Sequence, residues 1–451
     1  MESHNMPQPI QGPHLEAVES HQERKDPEKA CRSPSETDSQ HTNEAEAIPT
    51  ANVVLAPDGG LRAWMVAAGT AGIYFCTMGY ANSFGVFQAY YLSHQLQNET
   101  PDRIAWIGSL QNFLIFASGV IGGPLFDRLG AKVLYPASVL YALAVMLTSL
   151  CSKYWHFMLC QGVLTGVSQG LVLFPAMSAM PQWFNKKRGA AMGLAIAGSS
   201  LGGVVFPIAL GKMLNESDIG FGWSIRVCGF IMLPILVFSS LAVKVRLPPR
   251  KTNFLLPSAF KNVLYDILVA SVFCLLIGMF VPLIFIPTYA IQHGVNPTLA
   301  SYLVAMLNGA SIFGRILPGI AADRAGRLNV LAAMGASTGI LVFVWPQVSG
   351  TAGIIVFSIF FGFTSGAIVS GATVAISMCP DNLNDMGTWM GQGMAIACLA
   401  ALVGPPVTGV MLDKYGGYTE VSIFGGVFTL VGAALAVFAK TQTKEGILGR
   451  V

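Results

Sequence analysis

NGASIFGRILPGIAADRAGR, residues 308–327, places one arginine inside an otherwise apolar segment. From Leu299 to Ala322 the chain has the length of a membrane-crossing helix, roughly 20 predominantly apolar residues. Arg315 stands eight residues before the Asp323-Arg324 pair that closes this segment. At ~1.5 Å per residue that is ~12 Å of depth. A guanidinium there is costly unless it faces a polar cavity or a partner, so it marks a candidate functional site. Asn308, Ser311 and Arg315 are spaced i, i+3, i+7 and form a polar stripe on one helical face. Two readings of Arg315 are open. It binds an anion in a central cavity, or it snorkels to the headgroups or pins a neighbouring helix through carbonyls.

Around this stretch the 451-residue chain is 53% hydrophobic and only 11% charged, so its solvent is mostly lipid. Residues 1–56 are the exception. They hold ten of the 23 acidic residues and have no apolar periodicity, which predicts a disordered cytosolic tail without a cleavable signal peptide. Behind the tail about twelve spans are expected, near 65–91, 104–126, 133–151, 156–179, 189–211, 223–243, 264–288, 299–322, 328–346, 351–378, 386–411 and 418–439. Lipid admits only helices or closed barrels, and these runs are too long and unalternating for barrel strands. The expected fold class is an all-α polytopic membrane protein.

Basic residues orient it. Outside the tail and Arg62, fifteen fall in loops of one side and four (Arg103, Lys153, Lys212, Lys414) on the other, which predicts both termini in the cytosol. The basic, proline-containing stretch 244–262 separates a first six-helix bundle, 57–243, from a second, 263–440, followed by a short cytosolic tail, 441–451. An internal repeat supports this division: GPLFDRLGAK begins at Gly123 and GIAADRAGRL at Gly319, an offset of 196 residues. Asp127, Arg128, Asp323 and Arg324 therefore close corresponding spans on the same side, and are expected to latch the two halves.

The repeated loop resembles the signature loops of the major facilitator superfamily. WFNKKRGAAMGLAIAGSSLG, Trp183 to Gly202, looks like the motif before span five of the monocarboxylate transporter family, with Ala191, Gly193, Ala195, Ala197 and Gly198 in register. The acid-Gly-Gly-aromatic signature of span one is met in part by Asp58-Gly59-Gly60-Leu61-Arg62-Ala63-Trp64, and the polar tail is similar to the fungal branch of that family. Members that move small carboxylates with a proton carry an arginine in span eight that pairs with the substrate, and Arg315 matches its position. Ser311 stands where they hold a proton-coupling acid, and Trp64 to Tyr91 lacks their span-one lysine.

The resemblance implies a secondary transporter of a small organic anion, of plasma-membrane type, that works by alternating access. Two alternatives are an efflux transporter of a fungal secondary metabolite and a transporter-fold sensor. Substrate contacts are expected from Arg315, Ser311, Asn308, Asn82, Asn112 and Gln169, with Gln111 and Gln392 as further lining. Each Asn or Gln reads equally well as an interhelical hydrogen bond.

No G-x-x-x-x-G-K-S/T run, H-E-x-x-H, Cys/His cluster or G-x-S-x-G elbow occurs, so neither ATP-driven transport nor an enzyme is expected. The cysteines have no bridging or metal-binding spacing and are expected to be packing residues. No cofactor, metal, nucleic acid or obligatory protein partner is expected; the partners are a metabolite and the lipid bilayer.

Overall fold

The computed structural model describes residues 56–248, 254–443, 445, 446 and 449. The expectations for the tail before residue 56, for Pro249, Arg250 and Lys251 of the linker, and for most of the stretch after Thr443 lie outside them. Over these residues the chain is helical: α1 (Leu61–Tyr74), α2 (Phe84–Ser93), α3 (Pro101–Ala117), α4 (Gly119–Leu129), α5 (Leu134–Thr148), α6 (Tyr154–Phe157), α7 (Gly166–Trp183), α8 (Arg188–Asn215) and α9 (Gly220–Ala242). After the linker come α10 (Val263–Gln292), α11 (Pro297–Ala325), α12 (Arg327–Val344), α13 (Thr351–Ile376), α14 (Met386–Ala397), α15 (Leu399–Tyr415) and α16 (Tyr418–Ala439).

Among the described residues ten helical runs are long and apolar enough to cross a membrane. The difference from the expected twelve lies in two places. The first expected span breaks between α1 and α2, where Asn82 and Ser83 form a turn. The second and third form one run, Arg103–Thr148. That run turns at Gly130, whose φ of 66° favours glycine, and Gly326 adopts φ 98° at the same place in the second repeat. The glycine of each Asp-Arg-x-Gly loop is thus what lets two long helices reverse without a longer connection.

Helices α1 to α9 pack among themselves, as do α10 to α16, and the two halves meet along α8 on α11 and α4 on α14. Both crossings are built on glycine. A Cβ on Gly189 would lie 2.5 Å from the Gly319 carbonyl oxygen, and one on Gly193 would strike the carbonyl of Arg315. At the other crossing Gly123 faces the Gly387 carbonyl and Gly391 that of Gly119. Backbones approach this closely in lipid only where side chains are absent. No comparable packing joins α1 or α2 to α10 among the described residues, so the halves are zipped at the end that carries Asp127 and Asp323.

Inside the first half, a wider π-helical turn, Phe75–Gly79, continues α1. Its loosened carbonyls are met by side chains: Tyr141 Oη donates to Cys76 O at 2.6 Å, and Gln169 Nε2 donates to Thr77 O at 3.0 Å and to Tyr141 Oη at 3.2 Å. Gln111 Nε2 donates to Gln169 Oε1 at 3.0 Å and completes the network. Such polar groups must be satisfied internally in lipid. Elsewhere, burial, with the Asp381 carboxylate adding to it, pushes the Cys379 thiol up to about 12, so it stays an unreactive packing residue. Replacing Gln169 by leucine strands the Gln111 amide and the Thr77 carbonyl. We expect a loss of about 1–3 kcal/mol, read as a lowered melting temperature in detergent, with transport per folded molecule retained; loss of transport at unchanged stability would return Gln169 to the substrate path.

Candidate functional site: a buried arginine between the halves

The polar stripe read on residues 308–315 faces α8. Arg315 is 8% exposed. Its Nη1 donates to Ile196 O at 2.9 Å and also to Ser199 Oγ, both on α8. Its Nε has no partner. One turn away the Ser311 and Ser200 hydroxyls are 2.7 Å apart, and Ser311 Oγ donates to Asn308 O at 2.8 Å. Asn308 Nδ2 donates to Val304 O at 3.0 Å and reaches Gly203 O at 3.5 Å. Gly203 is also flanked by Asn82, whose Nδ2 would stand 2.7 Å from a Cβ placed there.

Four of the six expected substrate contacts, Asn82, Asn308, Ser311 and Arg315, therefore line one stretch of the contact between α11 and α8. Asn112 is exposed on α3, and Gln169 is fully engaged in the network of the first half. The sequence missed Ser199, Ser200 and the Ile196 carbonyl. The second reading of Arg315, a pin on a neighbouring helix, describes its contacts in this state. Both partners are neutral dipoles, and among the described residues no carboxylate pairs with it. A buried guanidinium held this way retains donors suited to a carboxylate.

At the end carrying the basic loops, the aspartate of each repeated loop caps a helix of the other half. Asp127 accepts from the Gly387 and Thr388 backbone N–H groups at 2.8 and 2.7 Å and from Thr388 Oγ1 at 2.7 Å. Asp323 accepts from the Gly189 and Ala190 N–H groups at 2.7 and 2.8 Å. Those groups open α14 and α8, where unpaired N–H groups and the helix dipole both favour an anion. Arg128 lies over the Phe254 ring at 5.2 Å, and Arg324 is exposed. Further bonds between the halves come from Arg188, whose Nη1 donates to Ser377 O at the end of α13 at 2.8 Å, and Arg327, which donates to Asn185 O.

The two motif stretches at Asp58 and Trp183 also meet. Asp58 Oδ1 accepts from the Asn185, Lys186 and Lys187 N–H groups at 2.6, 2.7 and 3.2 Å, and the Trp64 and Phe184 rings stand 5.2 Å apart. Asp58 thereby fixes the loop that presents the first turn of α8 to Asp323.

Two helical halves, a glycine-lined crossing and a buried cation between them define a membrane transporter. The chain belongs to the Major Facilitator Superfamily, whose family model matches residues 70–405. It is 49% identical over 390 residues, 86% of this chain and 80% of that protein, to the aspyridones efflux protein apdF of Emericella nidulans. It is 37% identical over 395 residues, 86% of this chain and 89% of that protein, to the agnestins efflux protein AgnL12 of Paecilomyces divaricatus. Its fold is similar to the crystal structure of the human organic anion transporter MFSD10, with a TM-score of 0.70 at 14% identity over 84% of this chain and all (100%) of that one.

Asparagine can still accept a hydrogen bond at a helix start but lacks the charge that the dipole favours, a loss of about 0.3–1 kcal/mol per site. Asp127→Asn and Asp323→Asn should each raise the rate at which a cysteine placed at the buried Ala322 reacts with an impermeant maleimide added from the latch side, at unchanged abundance in the membrane. An unchanged rate in both variants would show that the caps do not hold this end shut.

Proposed function

We propose that this chain exports an acidic secondary metabolite by alternating access, with Arg315 as the site that pairs with its anionic group. The observation that carries this reading is the burial of Arg315 between the halves with neutral acceptors only and an unpartnered Nε. Relatives named as efflux proteins for metabolites support export over the small monocarboxylate transport expected first. So does Ser311, bonded to Ser200 where the proton-coupled carriers hold an acid. The monocarboxylate motifs then mark how the start of α1 and the loop before α8 are built.

In this reading residues 57–243 and 263–440 are the two rocking bodies, 244–262 is the linker, and Asn82, Asn308 and Ser311 lie along the substrate path. The basic-loop end faces the cytosol, with both termini on that side, in the plasma membrane. An inside-negative potential contributes ~2.3 kcal/mol per 100 mV to the exit of one negative charge, so an anion needs no protein-borne proton to leave.

Flux of a candidate metabolite from vesicles under a clamped potassium-diffusion potential tests this. Outward movement should follow voltage. Arg315→Ala should abolish it, and Arg315→Lys should retain a fraction, since lysine keeps the charge but loses the fork. Full flux in Arg315→Ala, or flux that follows pH and ignores voltage, would overturn the reading.

A further inference from the structure

One nitrogen of the Arg315 head group, Nη1, is already engaged, and what engages it belongs to the opposite half. We propose that the Ser199 hydroxyl and the Ile196 carbonyl are an internal stand-in for the substrate's acidic group, so that an anion on Arg315 and the closed α8–α11 contact exclude one another. This rests on the reading of Arg315 as the anion site.

Three observations carry it. Arg315 Nη1 spends its donors on Ile196 O and Ser199 Oγ, and Ser199 Oγ itself donates to Ile196 O at 2.8 Å, so the two acceptors form one preformed cradle on α8. The backbones at this level are in direct contact, since a Cβ on Gly193 would strike the Arg315 carbonyl and its next neighbour, Ile316 Cα, would lie 3.6 Å away. No substrate group fits between them unless the helices part. The next turn closes on a hydroxyl pair, Ser200 with Ser311, which must also separate when the arginine leaves the cradle.

A carboxylate offers two charged acceptors where the cradle offers two neutral ones, so it adds a charge–charge attraction and a bidentate fork to bonds that in the cradle are only ion–dipole. An anion therefore wins the guanidinium, and α8 loses its hold on α11. Without an anion the cradle keeps the arginine solvated by dipoles and the path shut. Ser199 is a positioning residue: it sets how much of the substrate's binding is spent on opening.

Hydrogen–deuterium exchange on the purified full-length protein tests this, with benzoate as a carboxylate probe and benzamide as its neutral counterpart. In the wild type, benzoate should speed exchange across residues 188–200 and 311–325, and benzamide should not. Ser199→Ala should show that faster exchange without any probe and should need about fivefold less benzoate for half-maximal effect, the size of one hydrogen bond lost from the competing cradle. Ser199→Thr, which keeps the hydroxyl, should behave as wild type. Slow exchange in Ser199→Ala, or a higher benzoate requirement, overturns the stand-in. If Arg315→Ala carries full flux the anion-site reading falls. If Arg315→Ala is inactive while neither benzoate nor Ser199→Ala alters exchange, only the stand-in falls.

Discussion

Two carboxylates, each seated on the opening turn of a helix from the opposite half, hold this transporter in the form described. Asp127 on α14 and Asp323 on α8 are related by the internal repeat, and each accepts two backbone N–H groups that the helix cannot satisfy itself. Each cap is worth about 0.5–2 kcal/mol, with a helix-dipole term of comparable size where the group is partly buried. With the crossing bonds of Arg188 and Arg327, the closure sums to a few kcal/mol. Inverting a two-state population from 1:99 to 99:1 takes about 5.5 kcal/mol of differential affinity. In the proposed cycle a closure of this size lies within reach of one bound anion.

The closeness of the halves follows from the same arrangement. Asp323 can reach Gly189 and Ala190 only because Gly189 and Gly319 bring α8 and α11 into backbone contact. That contact continues to Gly193 and delivers Arg315 to the α8 carbonyl of Ile196. A charge deep in an apolar helix is costly. Here the cost is offset by neutral acceptors whose hold is lost whenever the helices separate. The same α8–α11 contact carries both the Asp323 cap and the Arg315 bond.

Much of this was legible in the sequence, for physical reasons that differ by residue. Arg315 stood out because lipid tolerates so few charges that one arginine in an apolar run is a signal by itself. Asp127 and Asp323 were found through the repeat. Their partners were not legible. Nothing in α8 separates Ser199, which meets Arg315, from Ser200, which meets Ser311, until the crossing angle is known. Gln169 has the composition of a cavity-lining residue, yet it serves a π-helical turn that has no sequence signature. Asp58 was visible as part of a motif, but its clamp joins residues 127 or more positions apart. The break falls at Asn82 and Ser83, two polar residues in a stretch otherwise apolar enough to read as one span.

The central claim is that anion binding at Arg315 releases a closure held at the latch end, and paired spin-label distances test it most directly. Labels at the exposed Leu129 and Asn382 report the latch end across the two halves, and labels at the exposed His94 and His293 report the opposite end. Adding an acidic metabolite that the protein carries should lengthen the 129–382 distance and shorten the 94–293 distance, and Arg315→Ala should abolish both changes. Distances that stay fixed on substrate addition, or that change equally in Arg315→Ala, would contradict the account.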